Sequence, residues 1–350
     1  MAEEYDFNEV VNRVKDALGG ATSSTGGTFF PTETSNEIIQ LVYENNFLRG
    51  LLPALPMSTR TVNVPKLTGS VSFHQQTLSA TETGTTAGES RQVTAEITLT
   101  LKTLIANIPI GNYLIAYGVE GLLSVLRDDI ASRLAFNEQS LFINGDTETG
   151  SSYADNINGA YNASTNPSGV NATNNDYLLV FDGLRKSAAA TAVSVSGTFG
   201  LSHLRQAISN LGVYADNRDD LALIVPRNLE VQLLGLTELQ TVDKYGPQAT
   251  ILSGELGRIY GIRVFATGVI PTNLNYTGVF DGSTTTQTVA LLTHIRSPLI
   301  GNPTDAERRF NMGFEDEPKN DRFVLIPRQD VAFGVRYSDA ICLLTGIDTI

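Results

Sequence analysis

The sequence predicts an α+β fold, and three observations carry that prediction. Two strand-like segments face each other across a glycine-rich tip between Thr59 and Pro109. One long helical stretch follows, from about Val119 to Ile143. Beyond it, short strands and helices mix without the regular βαβ alternation of a doubly wound sheet.

In the hairpin, Thr61-Val62-Asn63-Val64-Pro65 leads outward through Val71-Ser72-Phe73-His74. The return, Val93 to Leu101, alternates apolar and polar residues almost strictly, the pattern of a half-buried strand. Thr83-Gly84-Thr85-Thr86-Ala87-Gly88 supplies the turn chemistry between them. At ~3.3 Å per residue, arms of roughly fifteen residues make a hairpin on the order of 50 Å long. A two-stranded ribbon is marginal alone in water. Its apolar stripe (Val93, Ala95, Ile97, Leu99 and Leu101) is therefore expected to lie on a neighbouring subunit.

Ahead of the hairpin, Phe7, Val10, Val11, Val14, Ala17 and Leu18 recur at helical spacing and predict a short amphipathic helix over 5–18. Gly19 to Thr28 reads as a flexible linker, and Pro31 to Arg49 as a second helix. In the long helix, Leu122, Leu123, Leu126, Ile130, Leu134 and Leu141 recur at steps of three to four, with charged residues between them. Asn144-Gly145-Asp146 ends it, Gly145 suiting the left-handed position past a helix end. Residues 146–176, rich in Asn, Ser, Thr and Gly, read as a long surface excursion. Helices are expected over Leu178–Ala190 and Leu201–Leu211. Strands are expected at Leu221–Val225, Ile262–Phe265, Gly278–Phe280, Val289–Leu292, Phe323–Ile326, Val331–Tyr337 and Ala340–Thr345.

The composition narrows the function. The chain has 350 residues, 41% hydrophobic and only 17% charged, enough for a large core and two or three sub-domains. No apolar run approaches the roughly 20 residues of a membrane helix. The acidic start, Met1-Ala2-Glu3-Glu4-Tyr5-Asp6, lacks the pattern of a signal peptide, so a cytoplasmic site of synthesis and assembly is expected. The formal charge is −13 and the 24 basic residues are scattered, which argues against direct grip on nucleic-acid phosphates. A container whose wall does not bind its nucleic acid stays compatible with that balance.

The search for chemistry finds no catalytic, cofactor-binding or metal site. His74, His203 and His294 are far apart, without ligands at metal-site spacing. The glycine pairs near 19 and 26 lack the lysine of a phosphate loop. Asp128-Asp129 and Glu315-Asp316-Glu317 read as solvated faces or salt-bridge partners. The lone Cys342 lies in an apolar strand and reads as inert packing.

Several motifs, taken in order, resemble one family. Gly27-Thr28-Phe29-Phe30-Pro31 followed by Glu37-Ile38-Ile39 looks like its arm, and Val62-Asn63-Val64-Pro65 like the first strand of its extended loop. Glu138 to Asp146, through Ile143-Asn144-Gly145-Asp146, looks like the end of its spine helix. Arg328-Gln329-Asp330-Val331-Ala332-Phe333 through Asp339-Ala340 looks like its closing strands. The family is the major capsid proteins of tailed double-stranded DNA bacteriophages, with the Hong Kong 97-type fold. The resemblance covers residues 27–347.

It implies an N-terminal arm over 1–58 and an extended loop over 59–110. It further implies a peripheral domain over 111–199 and 300–350, containing the spine helix, and an axial domain over 200–299. It implies self-assembly through pentamers and hexamers into an icosahedral head around the genome, hence a place in the virion. Portal, scaffolding and decoration proteins are the implied partners. Adjustment between pentamer and hexamer would need hinges, and Gly69 and Gly111 near the hairpin base are the expected ones. Some members crosslink through a lysine near the loop tip, but residues 77–91 contain none, so a non-covalent hold is expected. The short stretch ahead of residue 27 points to a separate scaffolding protein. The rival readings are an encapsulin-type nanocompartment shell, which shares the fold, and a cytosolic enzyme with a non-standard site.

Overall fold

A computed structural model describes residues 46–69, 71, 92–113, 122–148, 156–158, 177–188, 191–236, 257–284, 286–305, 308 and 311–349. The helix expected over 5–18, the linker over 19–28, most of the helix over 31–49 and the hairpin tip at 83–88 lie outside the described residues.

Among the described residues, two six-stranded sheets and the two-stranded hairpin organise the fold. The first runs β6 (Val193–Gly197), β14 (Ile341–Asp348), β10 (Gln287–His294), β7 (Leu221–Pro226), β9 (Ile262–Thr267) and β8 (Arg258–Ile259). Its central strands are buried on both faces. Ile224, Leu291 and Leu343 join one core with Leu141, Phe142 and Ile143, from the end of the long helix α2 (Leu122–Asn144). Leu223, Leu292 and Leu344 face the other way, onto α4 (Leu201–Asn210) and α5 (Arg227–Leu234). Double burial explains why β7 reads Leu-Ala-Leu-Ile-Val with no polar alternation.

The second sheet is built on β13 (Arg322–Val335), 14 residues long. β11 (Pro298–Pro303) and β12 (Asn311–Glu317) pair with it antiparallel, and β1 (Ala54–Met57) extends β11 in parallel. β4 (Lys102–Ile105) and β5 (Ile108–Gly111) lie end to end along its opposite edge. The strands expected at 323–326 and 331–337 are thus one strand running through Pro327. Ala106 N–H donates to the Pro327 carbonyl, so the proline's missing N–H faces the break between β4 and β5. A proline is tolerated in a strand where no ladder bond is lost.

The hairpin is shorter at its base than the alternation suggested. β2 (Thr61–Leu67) and β3 (Thr94–Thr100) pair from Thr61↔Thr100 to Leu67↔Thr94. Past Leu101 the chain leaves the hairpin and joins β13, because that long strand offers a free edge. β14, from the C-terminal part, lies between β6 and β10, in one sheet with β7, β8 and β9.

Two further expectations change. Gly278–Phe280 is a turn rather than a strand, since Gly278 has φ +80° and the Asn275 side chain accepts from Thr277 and Val279 N–H. The helix expected over 178–190 is split into a 3-10 turn at Tyr177–Leu179 and α3 (Leu184–Ser187). Gly183 lies between them, and a Cβ there would sit 2.8 Å from both Gly145 N and Ile143 O.

Candidate assembly surfaces

The structure divides the predicted contact stripe. Leu99 is 1% exposed and lies against β13, where a Cβ on Gly334 would be 2.7 Å from its Cδ2 atom. Leu101 is also buried, and Ile97 packs partly against the same core as Val64 and Phe333. These residues are covered by their own chain. The premise that the whole stripe lacks a surface at home is thereby corrected, because the second sheet supplies one. Ala95 is half-buried, and Val93, farther out, is 54% exposed. Leu67 and Val71 are exposed at the same end of the hairpin. Among the described hairpin residues, the exposed apolar ones are therefore Leu67, Val71 and Val93, farther from the sheet than Leu99.

The expected hinges differ in setting. Gly69 donates its N–H to Val93 O, and a Cβ there would lie 3.2 Å from the Val93 side chain, so close strand approach favours glycine. Gly111 pairs with Arg322 at the end of β5, with open space around its α-carbon. Neither has positive φ.

Around Asn46 and Arg49, a polar clamp ties three elements together. Glu138 on α2 is 3% exposed and accepts from Asn46 at 2.9 Å, from Arg49 Nε at 2.7 Å and from Gln329 on β13 at 3.1 Å. A second Arg49 nitrogen also bonds Glu138, and Arg49 Nη1 reaches Asn302 on β11 at 2.9 Å. A buried carboxylate needs such compensation. α1 (Leu48–Leu51) is thereby fixed to the spine helix and the second sheet.

The end of α2 is a second polar knot, and the sequence reading missed most of it. Asp146, Asn156 and Asn158 were assigned to a surface excursion, yet each is at most 4% exposed. Asp146 accepts from Ile157 N–H at 2.8 Å, from Glu148 N–H at 3.0 Å and from Lys186 at 3.2 Å. Asn158 donates to the Asn144 carbonyl at 2.8 Å. Arg185, 1% exposed, donates to Asn144 Oδ1 and to Gly278 O, both at 2.8 Å. Burial lowers the Arg185 pKa to about 10, and Asp146 opposes that shift. Gly145 does not adopt the expected left-handed setting. Close approach demands glycine instead, because a Cβ would meet Phe181 O at 2.3 Å and Leu141 O at 2.5 Å. The signal that could have revealed the knot is the pair Asn156 and Asn158 shortly after Asn-Gly-Asp. Buried helix ends need amides and carboxylates to satisfy their backbone.

The residues weighed for chemistry have ordinary structural settings. His203 Nδ1 accepts from Gly200 N–H at the start of α4, at 3.2 Å. His294 ends β10, with its Nδ1 accepting from Arg296 N–H at 3.3 Å; His74 lies outside the described residues. Cys342 is buried, donates to Thr191 O at 2.9 Å, and has its thiol pushed up to about 12 by burial. Glu317 bonds Arg322 at 2.7 Å. Among the described residues, no group of three or more His, Cys, Asp or Glu is placed to hold a metal. No helix among them is long and apolar enough to cross a membrane.

A family model described as the phage capsid family matches residues 26–227, more than half of the chain. The chain belongs to the phage capsid family. A curated relative, the major capsid protein of Klebsiella oxytoca phage phiKO2, is 27% identical over 146 residues, 41% of this chain and 33% of that protein. The match thus spans about a third of that relative's length. Among solved structures, one from Microbacterium phage Oxtober96 has a TM-score of 0.60 at 14% identity, covering 93% of this chain and 98% of that one. The capsid of a native GTA particle gives a TM-score of 0.60 at 15% identity, over 93% and 98% of the two chains. The mature capsid of bacteriophage PhiM1 gives 0.57 at 10% identity, over 90% and 91%. The fold is of the Hong Kong 97 type, an α+β capsid fold.

Proposed function

We propose that this chain is a major capsid subunit that assembles with copies of itself into a closed icosahedral head around a double-stranded DNA genome. The observation that carries this reading is a family-matched chain whose hairpin is rooted on its own sheet but carries exposed apolar residues farther out. Leu99 anchors the root, and Val93 and Leu67 are left uncovered. Such an arm gains area when it lies on a neighbour. A patch that meets a different patch on the next copy closes into rings when the rotation allows. Many modest contacts then sum to a stable shell.

Pentamers and hexamers are the expected rings. The unit around β7, β9 and β10 is read as the axial domain, and the β13 sheet with α2 as the peripheral one. Gly69 and Gly111 remain the proposed hinges between ring settings. A portal and a separate scaffolding protein are the proposed partners, with a decoration protein as a third. The genome would be enclosed without sequence-specific grip, in keeping with the charge of −13. Assembly is placed in the host cytoplasm, and the finished protein in the virion.

The test is the mass of the expressed protein, alone and with a scaffolding protein, by mass photometry. Closed particles of very many copies are expected. A species no larger than a small oligomer under both conditions would overturn the proposal.

A further inference from the structure

Where the hairpin base meets the second sheet, a cleft of about 790 Å³ is lined by Arg60, Lys102, Arg308 and Arg328, with Asp305 and Asp330. Arg49, Arg227, Arg258, Arg296 and Arg322 each have a carboxylate partner elsewhere in the chain. Among the described residues, none of the four cleft cations does. Lys102 sits 6.0 Å over the Phe181 ring, and Asp330 is engaged by the Thr103 hydroxyl at 2.6 Å. Gly313 leaves room for Arg328, whose Nη2 lies 3.5 Å from where a Cβ would be. Other described cations, among them Lys66, Arg205, Arg218 and Lys319, also form no ion pair; what sets the cleft apart is that four cations without a carboxylate partner among the described residues surround one concavity.

The complementary feature lies on the same sheet. β12 pairs with β13 on one side only among the described residues, and Glu315 and Asp316 on it are exposed and form no ion pair there. Asp316 stands too far along β12 to reach the cleft of its own copy. Asn311 lines the cleft, and Asp316 is five residues further along a strand rising ~3.4 Å per residue, so it stands roughly 17 Å away. The register from Asn311↔Arg328 to Glu317↔Arg322 holds β12 straight.

We infer that the cleft receives the acidic end of β12, Glu315 and Asp316, from a second copy of the chain. This rests on the shell-forming reading above and assigns one of its contacts. A basic cleft meeting a separate acidic strand end is a head-to-tail contact, the type that builds rings. Being exposed, it weakens with salt.

The test uses full-length chains carrying Arg308→Cys and Asp316→Cys together, treated with a short thiol–thiol cross-linker after assembly. Both positions are exposed, and the only native thiol, Cys342, is buried with a pKa near 12. A ladder of covalent multimers is expected, with each single-cysteine variant giving none. Mixing the two single variants should give dimers only. Particles without a ladder overturn the contact and leave the shell reading standing, whereas neither particles nor ladder overturns both. Protection of the Arg308→Cys thiol only in DNA-filled particles would instead assign the cleft to phosphate and overturn the inference. Independently, Arg308→Glu with Arg328→Glu should lower particle yield on the order of tenfold, since small pair energies repeat at each contact. Adding Glu315→Arg and Asp316→Arg should restore it. Unchanged yield in the first variant also overturns the contact.

Discussion

The guanidinium of Arg185 donates to the side-chain oxygen of Asn144 at 2.8 Å, inside a region where Arg185 is 1% exposed. One hydrogen bond thus joins α3 to the last residue of the spine helix, and Gly278 O takes the other arm of the same cation. Arg185→Met removes a charge but leaves the Asn144 oxygen and the Gly278 carbonyl buried without donors. Stranded buried acceptors cost ~1–3 kcal/mol each. A loss of about 3 kcal/mol is expected by urea unfolding of the unassembled chain, and Arg185→Lys should recover only part of it.

Gly145→Ala tests whether the helix end is set by space or by backbone angle. With Phe181 O and Leu141 O at 2.3 and 2.5 Å from the new methyl, the backbone must move. Overpacking of this kind costs ~1–3 kcal/mol. The melting temperature should fall, and a neutral result would show that the two segments can separate freely.

The two ends of the hairpin should respond differently. Leu99→Ala empties a buried site against Gly334 and should cost about 3 kcal/mol of folding stability, read by denaturant titration. Val93→Asp, at a position 54% exposed, should leave the monomer's unfolding midpoint unchanged while reducing particle yield. Comparing midpoint and yield in both variants separates the root from the docking end.

His294 gives the fold an acid-side dependence. Its pKa is held below the ordinary 6.5 by burial and by Arg296, with Asp220 acting in the opposite sense. The unfolded chain then binds a proton at a higher pH than the folded chain does. Stability contributed by neutral His294 is complete above 6.5 and declines as pH falls toward the folded pKa. His294→Gln should flatten that part of the stability profile, measured by thermal melts across pH.

Cys342 should stay silent toward thiol reagents at neutral pH, because the thiolate is the reactive form and burial holds its pKa near 12. Ellman's reagent should titrate it only after the chain is unfolded in denaturant.

Much of this fold was legible because its strands and long helix obey simple periods. β3 alternates in sequence and in burial, from Thr94 to Thr100. Cys342 and β7 read as interior, and are. What escaped was decided by distant partners. Nothing near Lys102 announces that the chain leaves the hairpin, because the reason is the free edge of β13, more than two hundred residues later. Asp146 and Asn158 look like loop residues, and only the folded knot shows them buried. Leu99 carried the right pattern with the wrong partner, since alternation shows that a face is covered but not by whose chain.

A hairpin rooted on its own subunit should dock farther out on the next. A cryo-electron-microscopy reconstruction of assembled particles would show this contact. Leu99 is expected against Gly334 of the same copy, with Val93 and Leu67 covered by a neighbouring copy. Particles in which Val93 and Leu67 face solvent, or pack on their own chain, would contradict it.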